Sequence, residues 1–355
     1  MIDFSQYHNL MGRILPTIIA WYRENKIDLP WRNEPTPYHV WISEIMLQQT
    51  RIDAVLSYYD RFLKALPTLK ALASVDDDYL MKLWQGLGYY SRARNLKKSA
   101  VTVMEKYGGE IPSSAAELEK LPGIGAYTAG AIASIAYGKP SPAVDGNVLR
   151  VISRMVASYE DIMQPWVKRE VTRLLAAHYP EGEEAGLLTE GLMELGERVC
   201  IPNGAPRCER CPVRELCLAH RQGVADELPI RIVKTDKRIE EKTVLLIRSC
   251  EGRYAISKRS EGGLLANMWE LVNLDGFVET DDIENYLVRK GIRALAIEAL
   301  PDAKHIFTHV IWRMKGFLVT VDKEADAFVF KTRSEILSDY AIPTAFRTYV
   351  NLMKE

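Results

Sequence analysis

The chain predicts two domains of different class: an all-helical region over residues 1–225 and a smaller α+β domain over 241–355. Three observations carry this. At 355 residues the chain exceeds what one hydrophobic core ordinarily serves. Apolar residues recur at helical spacing up to about residue 220. From residue 243 the pattern changes to short β-type runs. Composition is that of a soluble globular protein, 47% hydrophobic and 26% charged. Polar residues interrupt every apolar run well before membrane length, and the first residues lack a charged-then-apolar leader, so an intracellular protein with no membrane partner is expected. The net charge of -1 neither announces nor excludes a nucleic-acid partner, because distribution outweighs the sum.

Residues 5–26 place Leu10, Ile14, Ile18, Trp21 and Tyr22 on one helical face. Leu29-Pro30-Trp31-Arg32, followed by Pro35 and Pro37, reads as an irregular loop. Residues 38–50 return to helical spacing, with Glu44 set among Trp41, Ile42, Ile45 and Met46. A carboxyl group in apolar surroundings holds its proton to higher pH, which suits a general acid; on this segment alone, a carboxylate pointing to water is the plainer expectation. Several helices follow over 51–107, interrupted by Trp84-Gln85-Gly86-Leu87-Gly88-Tyr89-Tyr90. That loop can wedge an aromatic ring into a base stack or simply pack its tyrosines. Lys82, Arg92, Arg94, Lys97 and Lys98 fall here with no acid between them.

The organising stretch is LEKLPGIGAYTAGAIASIAYGKPSPAVDGNVLRVISR, from Leu118 to Arg154. Leu121-Pro122-Gly123-Ile124-Gly125 is a tight turn between two helical patterns. Gly123 and Gly125 allow turn dihedrals closed to other residues and leave the next helix's first amides open to a phosphate. Val144-Asp145-Gly146-Asn147 then sets one carboxylate at a helix start, as an N-cap or as a fixed acid. A phosphate clamp and a fixed acid some twenty residues apart point to chemistry on a nucleic-acid backbone unit.

Residues 159–198 are helical and lead into Cys200-x7-Cys208-x2-Cys211-x5-Cys217. Four such thiolates suit tetrahedral zinc or a [4Fe–4S] cluster, and the short unequal gaps resemble cluster loops more than paired zinc hooks. Arg207, Arg210 and Arg214 lie in that loop, and Cys250 is expected to be a buried thiol. The polar run 221–242 lacks periodicity and places a linker at 226–240. Strands are expected at 243–248, 254–257, 269–272 and 315–321, and helices at 281–290 and 333–339. His305-Ile306-Phe307-Thr308-His309-Val310-Ile311-Trp312 reads in isolation as a strand with alternating faces, although its hydroxyl and rings are able to read a base edge.

The motifs WISEIMLQQT, GLGYYSRARNL, LPGIGAYTAGAI, VDGNVLRV, the four-cysteine loop and HIFTHVIW stand in the order found in the adenine DNA glycosylases of the MutY type. The chain resembles that family, within the endonuclease III-like helix-hairpin-helix superfamily, along essentially its whole length. The resemblance implies a six-helix module at about 30–138, a cluster-bearing module from about 1–29 and 139–225, and a Nudix-like C-terminal domain. The Arg-Glu and Glu-Glu pairs with which Nudix enzymes hydrolyse pyrophosphates are missing, so that domain would serve recognition. The implied activity is base excision: removal of adenine paired with 8-oxoguanine or guanine in double-stranded DNA, by a monomer.

Carried over residue by residue, Glu44 would protonate the leaving adenine and Asp145 would stabilise the sugar cation, with Tyr127 and Asn147 beside it. Trp31, Arg32, Leu47 and Glu190 would line the adenine pocket. Gln49 and Tyr89 would insert near the lesion, and Phe307, Thr308 and His309 would contact 8-oxoguanine. Cys200, Cys208, Cys211 and Cys217 would hold a [4Fe–4S] cluster. Bifunctional relatives carry a lysine nucleophile two residues after the second hairpin glycine, where Tyr127 stands here; a Schiff base needs an amine, so strand cleavage is not expected. The chain departs from the family pattern twice. Its first cysteine gap is seven residues instead of six, and Thr308 replaces the usual serine.

Overall fold

The computed structural model describes residues 4–232 and 237–355. In chain order its helices are α1 (His8–Asn25), α2 (Pro30–Asn33), α3 (Pro37–Leu47), α4 (Ile52–Ala65), α5 (Leu69–Ser74), α6 (Asp77–Trp84), α7 (Ser91–Lys106), α8 (Ala115–Leu118), α9 (Ala126–Tyr137), α10 (Gly146–Met155), α11 (Pro165–Ala176), α12 (Glu183–Arg198) and α13 (Leu218–Gln222). Beyond them come strands β1 (Arg238–Ser249), β2 (Tyr254–Lys258), β3 (Trp269–Asp275), helix α14 (Thr280–Arg289), β4 (Ala294–Ile306), β5 (Val310–Val321), β6 (Val329–Lys331), α15 (Arg333–Asp339) and α16 (Arg347–Val350). The chain divides into two compact units, Met1–Ser74 with Arg94–Val233, and Val75–Ala93 with Lys234–Glu355. Residues 75–93, assigned by sequence to the helical region, therefore belong with the C-terminal unit. Residues 233–236 of the expected linker lie outside the described residues.

In the helical unit, α1 buries Met11, Ile14, Leu15, Ile18 and Tyr22, the spacing of one helical face. That face joins a core built with Val148, Val151, Ile152, Val171, Leu188, Leu192 and Leu195. Helix α3 begins at Pro37, its N-cap Thr36 accepting from the His39 amide at 3.2 Å, and is buried continuously from Val40 to Met46. Such all-round burial is what an apolar helix with no polar face requires. The segment 29–37, expected as loop, instead forms the single turn α2, with Pro30 at its first position and Trp31 turned inward.

The hairpin between α8 and α9 packs Leu118, Leu121 and Ile124 inward. Gly123 has φ +79°, and a Cβ there would lie 2.6 Å from Cβ of Asn95. Gly123→Ala is therefore expected to cost about 1–3 kcal/mol of stability in denaturant titration. The reading of Gly125 changes: its backbone is ordinary extended, φ -96° and ψ 175°, and a Cβ would meet nothing within 4 Å. It needs no special dihedral, and its contribution is to leave the start of α9 uncovered. The first intrahelical bond runs from Ala129 N to Gly125 O, so the amides of Ala126, Tyr127 and Thr128 precede the helical ladder. On α9, Gly130 lets the segment before α10 pass close by, since a Cβ there would stand 2.5 Å from Pro142 O. That segment delivers Asp145.

The C-terminal unit is a six-stranded mixed sheet of order β4-β5-β1-β3-β2-β6, with β1 and β5 parallel from Arg238↔Val310 to Ser249↔Val321 and the other pairs antiparallel. Alternation along β1 divides its side chains between two cores. Val244 and Leu246 join Trp312, Met314, Ile336, Phe346 and Tyr349 on one face. Leu245 and Ile247 join Ile283, Leu287, Val319 and Phe330 on the other. Sequence patterning located β1, β2, β3, β5, α14 and α15 but not β4 or β6. β4 is an edge strand with little buried side chain, so periodicity had little to act on. The strand reading of 305–312 is also replaced: Phe307, Thr308 and His309 form the tip of the β4–β5 hairpin, closed by Phe307 N to Val310 O at 2.8 Å. Cys250 is exposed, not buried; it follows the last residue of β1, where the strand turns outward. Among the described residues no helix is long and apolar enough to cross a membrane.

Candidate active site

A cavity of about 660 Å³ in the helical unit is lined by Trp31, Arg32, Glu44, Leu47, Gln49, Tyr127, Asp145, Asn147 and Glu190. These are nine of the residues singled out by sequence, drawn from α2, α3, the turn after α3, α9, α10 and α12. Its size suits a small ligand such as a nucleobase.

Glu44 does not point to water; it is 6% exposed. Burial pushes its carboxyl up to about 7, and the negative charges of Glu190 and Asp145 push the same way. A hydrogen bond shared with Tyr127 and the charge of Arg32 pull it back. The Tyr127 phenol is itself raised well above its ordinary range by burial and by Glu44, so it stays neutral. Its hydroxyl also lies 3.6 Å from Sδ of Met193.

Asp145 is less buried. It is the N-cap of α10, Oδ1 accepting from the Val148 amide at 2.8 Å, while Oδ2 accepts from Asn147 Nδ2 at 3.0 Å. The residue that caps α10 thus also lines the cavity. The cavity therefore holds one carboxyl whose proton burial retains to higher pH and a second that accepts hydrogen bonds from an amide and a helix start, a contrast of the kind that glycosidic chemistry can use.

The wall behind Glu44 is an ion-pair network. Arg32 Nη1 donates to Glu194 Oε2 at 2.6 Å and to Ile27 O at 3.2 Å, and Nε stands 3.5 Å from Glu190 Oε1. Tyr22 OH donates to Glu190 Oε2 at 3.0 Å, and its ring lies 5.4 Å from the Arg32 guanidinium carbon. Arg198 Nη1 holds the other Glu194 oxygen at 2.6 Å. Burial raises the Glu190 carboxyl, and Arg32 and Tyr22 draw it down. Sequence reasoning missed Glu194. Its signal was present: Glu190 and Glu194 are one helical turn apart on α12, and like charges so placed require cations between them. It also missed Met193 and Glu197 as cavity residues; Gln48, within the WISEIMLQQT motif, lines the cavity as well, its Nε2 donating to Thr128 Oγ1 at 3.3 Å.

Gln49 at the mouth of α3 is exposed with φ +56°, and Tyr89 in the C-terminal unit is exposed with φ +48°. Both are left-handed conformations that side chains other than glycine rarely adopt, and such strain collects at functional positions. Tyr89 and Thr308, selected from motifs 219 residues apart, meet within the C-terminal unit, their hydroxyl oxygens 2.6 Å apart. Phe307 stacks edge-on with His305 at 4.6 Å and Trp312 at 5.0 Å. Thr308 and His309 are exposed at the tip.

The four cysteine sulfurs line one small cavity with Val151, Met155, Leu195 and Val199. Burial raises the thiols of Cys208, Cys211 and Cys217, that of Cys211 to about 12, and their mutual proximity adds to it. Buried thiols that oppose one another's ionisation are satisfied by a cationic centre. Arg154 Nη1 lies 3.3 Å from Cys200 Sγ, and Arg150 Nε donates to Cys200 O at 2.8 Å. Among the described residues no three His, Cys, Asp or Glu side chains converge on the point a single metal ion would occupy. The donor set of four thiols in an apolar cavity fits a multinuclear sulfide cluster. Arg207, Arg210 and Arg214 are exposed on the same loop.

Residues 42–176 match the family described as HhH-GPD superfamily base excision DNA repair protein, and residues 243–352 match the NUDIX domain. The adenine DNA glycosylase of Rattus norvegicus is 42% identical over 224 residues, covering 60% of this chain and 43% of the relative, so the chain spans less than half of that protein. The adenine DNA glycosylase of Buchnera aphidicola subsp. Baizongia pistaciae is 31% identical over 311 residues, covering 86% of each. Among solved structures, a thermostable thymine-DNA glycosylase is similar at a TM-score of 0.54 and 28% identity, over 61% of this chain and 99% of that one. Endonuclease III trapped covalently on DNA is similar at 0.51 and 26%, over 63% and 99%. With helical and Nudix-like regions in this order and a bacterial relative matched along 86% of its length, the chain belongs to the adenine DNA glycosylase family, of the MutY type.

Proposed function

We propose that the protein removes adenine mispaired with 8-oxoguanine, or with guanine, from duplex DNA by hydrolysing the N-glycosidic bond, and leaves the strand intact. The observation that carries this is the placement of Glu44 and Asp145 in one cavity under opposite environments. A base leaves readily when it departs neutral, which needs a proton donor on the base and a negative charge beside the sugar cation. Glu44 supplies the proton to adenine. Asp145 faces the charge that develops on the sugar. Water adds its hydroxyl to the sugar carbon and returns a proton to Glu44, which closes the cycle. Tyr127 and Asn147 orient the two carboxyl groups. Trp31, Arg32, Leu47 and Glu190 enclose the extruded base.

Gln49 and Tyr89, already held in left-handed conformation, fill the space the base vacates. Phe307, Thr308 and His309 meet the opposing 8-oxoguanine. The uncovered start of α9, beside Gly123 and Gly125, takes a backbone phosphate. Tyr127 has no amine with which to form a Schiff base. Both carboxyl groups come from one chain, so one copy suffices. Cys200, Cys208, Cys211 and Cys217 hold a [4Fe–4S] cluster that ties the loop after α12 together; iron and sulfide in equal amount, with charge-transfer absorbance lost on chelation, test that assignment. The domain boundaries follow the same reading, a glycosylase region to 225 and a Nudix-like domain over 241–355, except that 75–93 group with the latter and β1 already begins at Arg238, inside the linker expected at 226–240.

The test uses duplexes with one labelled adenine opposite 8-oxoguanine, guanine or thymine. Free adenine opposite 8-oxoguanine, with strand breakage only after alkali, is expected. Breakage without alkali, or cutting at an oxidised pyrimidine with no adenine released, would overturn the proposal.

A further inference from the structure

We infer that Lys82 and Gln85 are positioning residues for the choice of the base opposite adenine, acting through Tyr89 and Thr308; this rests on the function proposed above. Helix α6 ends one residue before the loop that carries Tyr89, and the loop is internally rigid. Arg92 Nη2 donates to the carbonyls of Leu87 and Gly88, each at 3.0 Å, and Trp84 Nε1 donates to Gly88 O at 3.2 Å. Tyr89 is thus placed from two ends, by Arg92 at the start of α7 and by Trp84 at the end of α6, and the second depends on what holds α6.

Polar anchors hold it within the C-terminal unit. Lys82 Nζ donates to Leu337 O at 2.5 Å and Tyr340 O at 3.3 Å. These are carbonyls at the C-terminal end of α15, where a cation meets unsatisfied acceptors and the negative end of the helix. Gln85 Nε2 donates to Ile342 O at 3.0 Å. Asp78 Oδ1 accepts from Lys258 Nζ at 2.7 Å and from Trp269 Nε1 at 3.3 Å. On the far side of the same framework, Ile336 of α15 shares a core with Trp312 and Met314 of β5. β5 begins at Val310, two residues after Thr308. A continuous packed path thus runs from Lys82 through α15 and β5 to Thr308, and a second runs from Lys82 along α6 to Tyr89. The two paths close where the hydroxyls of Tyr89 and Thr308 meet at 2.6 Å.

Neither hydroxyl lines the cavity that holds Glu44 and Asp145. Loosening this closed loop of contacts therefore acts on discrimination and not on bond cleavage. An ammonium on two helix-terminal carbonyls is a strong, directional tie on the helix that leads into the Tyr89 loop.

The experiment compares the full-length, cluster-loaded protein with Lys82→Met, Lys82→Arg and Gln85→Ala in single-turnover adenine release from A:8-oxoguanine and A:guanine duplexes, with the unfolding midpoint of each. Lys82→Met is expected to lower the preference for 8-oxoguanine about tenfold, the size of a lost charged hydrogen bond. Its rate on A:guanine stays at the parent value. Gln85→Ala lowers the preference less, and Lys82→Arg largely restores it. An unchanged preference in Lys82→Met, or equal losses on both duplexes with a lower unfolding midpoint, overturns the positioning role. Release from neither duplex by the parent protein overturns the proposed function itself.

Discussion

Glu44→Gln is expected to release adenine about 10²–10⁴-fold more slowly than the parent while still binding a mispaired duplex, because only the proton donor has been removed. The same carboxyl imposes a pH dependence with a definite sign. Its protonated form is the acid, and burial raises it to about 7, so single-turnover release is expected to be highest below pH 7 and to fall as pH rises through that value. Stability follows the same direction. A carboxyl raised from 4.5 to about 7 by burial binds its proton more tightly folded than unfolded, so it contributes fully below pH 4.5 and loses that contribution as pH climbs to about 7. Above pH 7 the folded protein carries a buried charge that glutamine lacks. Glu44→Gln is thus expected to be the more stable protein at pH 8, by at most about 3 kcal/mol, with the difference vanishing towards pH 4.5. Denaturant titrations at the two pH values measure it. A variant that gains no stability at pH 8, or a release rate that rises with pH across 7, would show that Glu44 is not the proton donor.

Asp145→Asn is expected to cost about 10²–10³-fold in adenine release, the size of a lost electrostatic group at the site of developing charge. Asparagine keeps an acceptor for the Val148 amide and is as good an N-cap as aspartate, so the unfolding free energy should change by less than about 0.5 kcal/mol. Asp145→Ala removes charge and cap together and is expected to lose about 1 kcal/mol of stability as well. The pair of variants therefore separates the two roles that one side chain holds. Retention of activity by Asp145→Asn would eliminate the carboxylate from the mechanism and leave Asp145 a cap alone.

The helices were legible in proportion to how one-sided their burial is. α1 shows its face at i, i+3 and i+4, whereas α3 is buried on all sides, and its strongest clue was the single charge at Glu44. Whether that charge faced water or a cavity depended on α2 folding back as a helical turn and on α9 and α12 closing over it, contacts distant in sequence. The edge strand β4 was invisible because a strand with few buried side chains has no apolar period to read. The hairpin tip at Phe307-Thr308-His309 was hidden for a related reason: strand-type residues continue through the turn, and the pairing of Ile306 with Ile311 and His305 with Trp312 is what shows that the chain reverses.

Local chemistry along the chain was enough to specify the domain order, the turn at Gly123, the four-thiol loop, and two carboxyl groups, one within an apolar segment and one at a helix start. Each is a property of neighbours within a few residues, where side-chain type and backbone propensity act directly. Packing alone determined that Glu194, and not only Glu190, holds Arg32. Packing likewise joined residues 75–93 to the C-terminal unit and brought the hydroxyls of Tyr89 and Thr308 into contact. Ion pairs and hydrogen bonds between residues more than 160 positions apart are selected by the geometry of a folded core, and no local pattern in a single chain encodes which partner that geometry will supply.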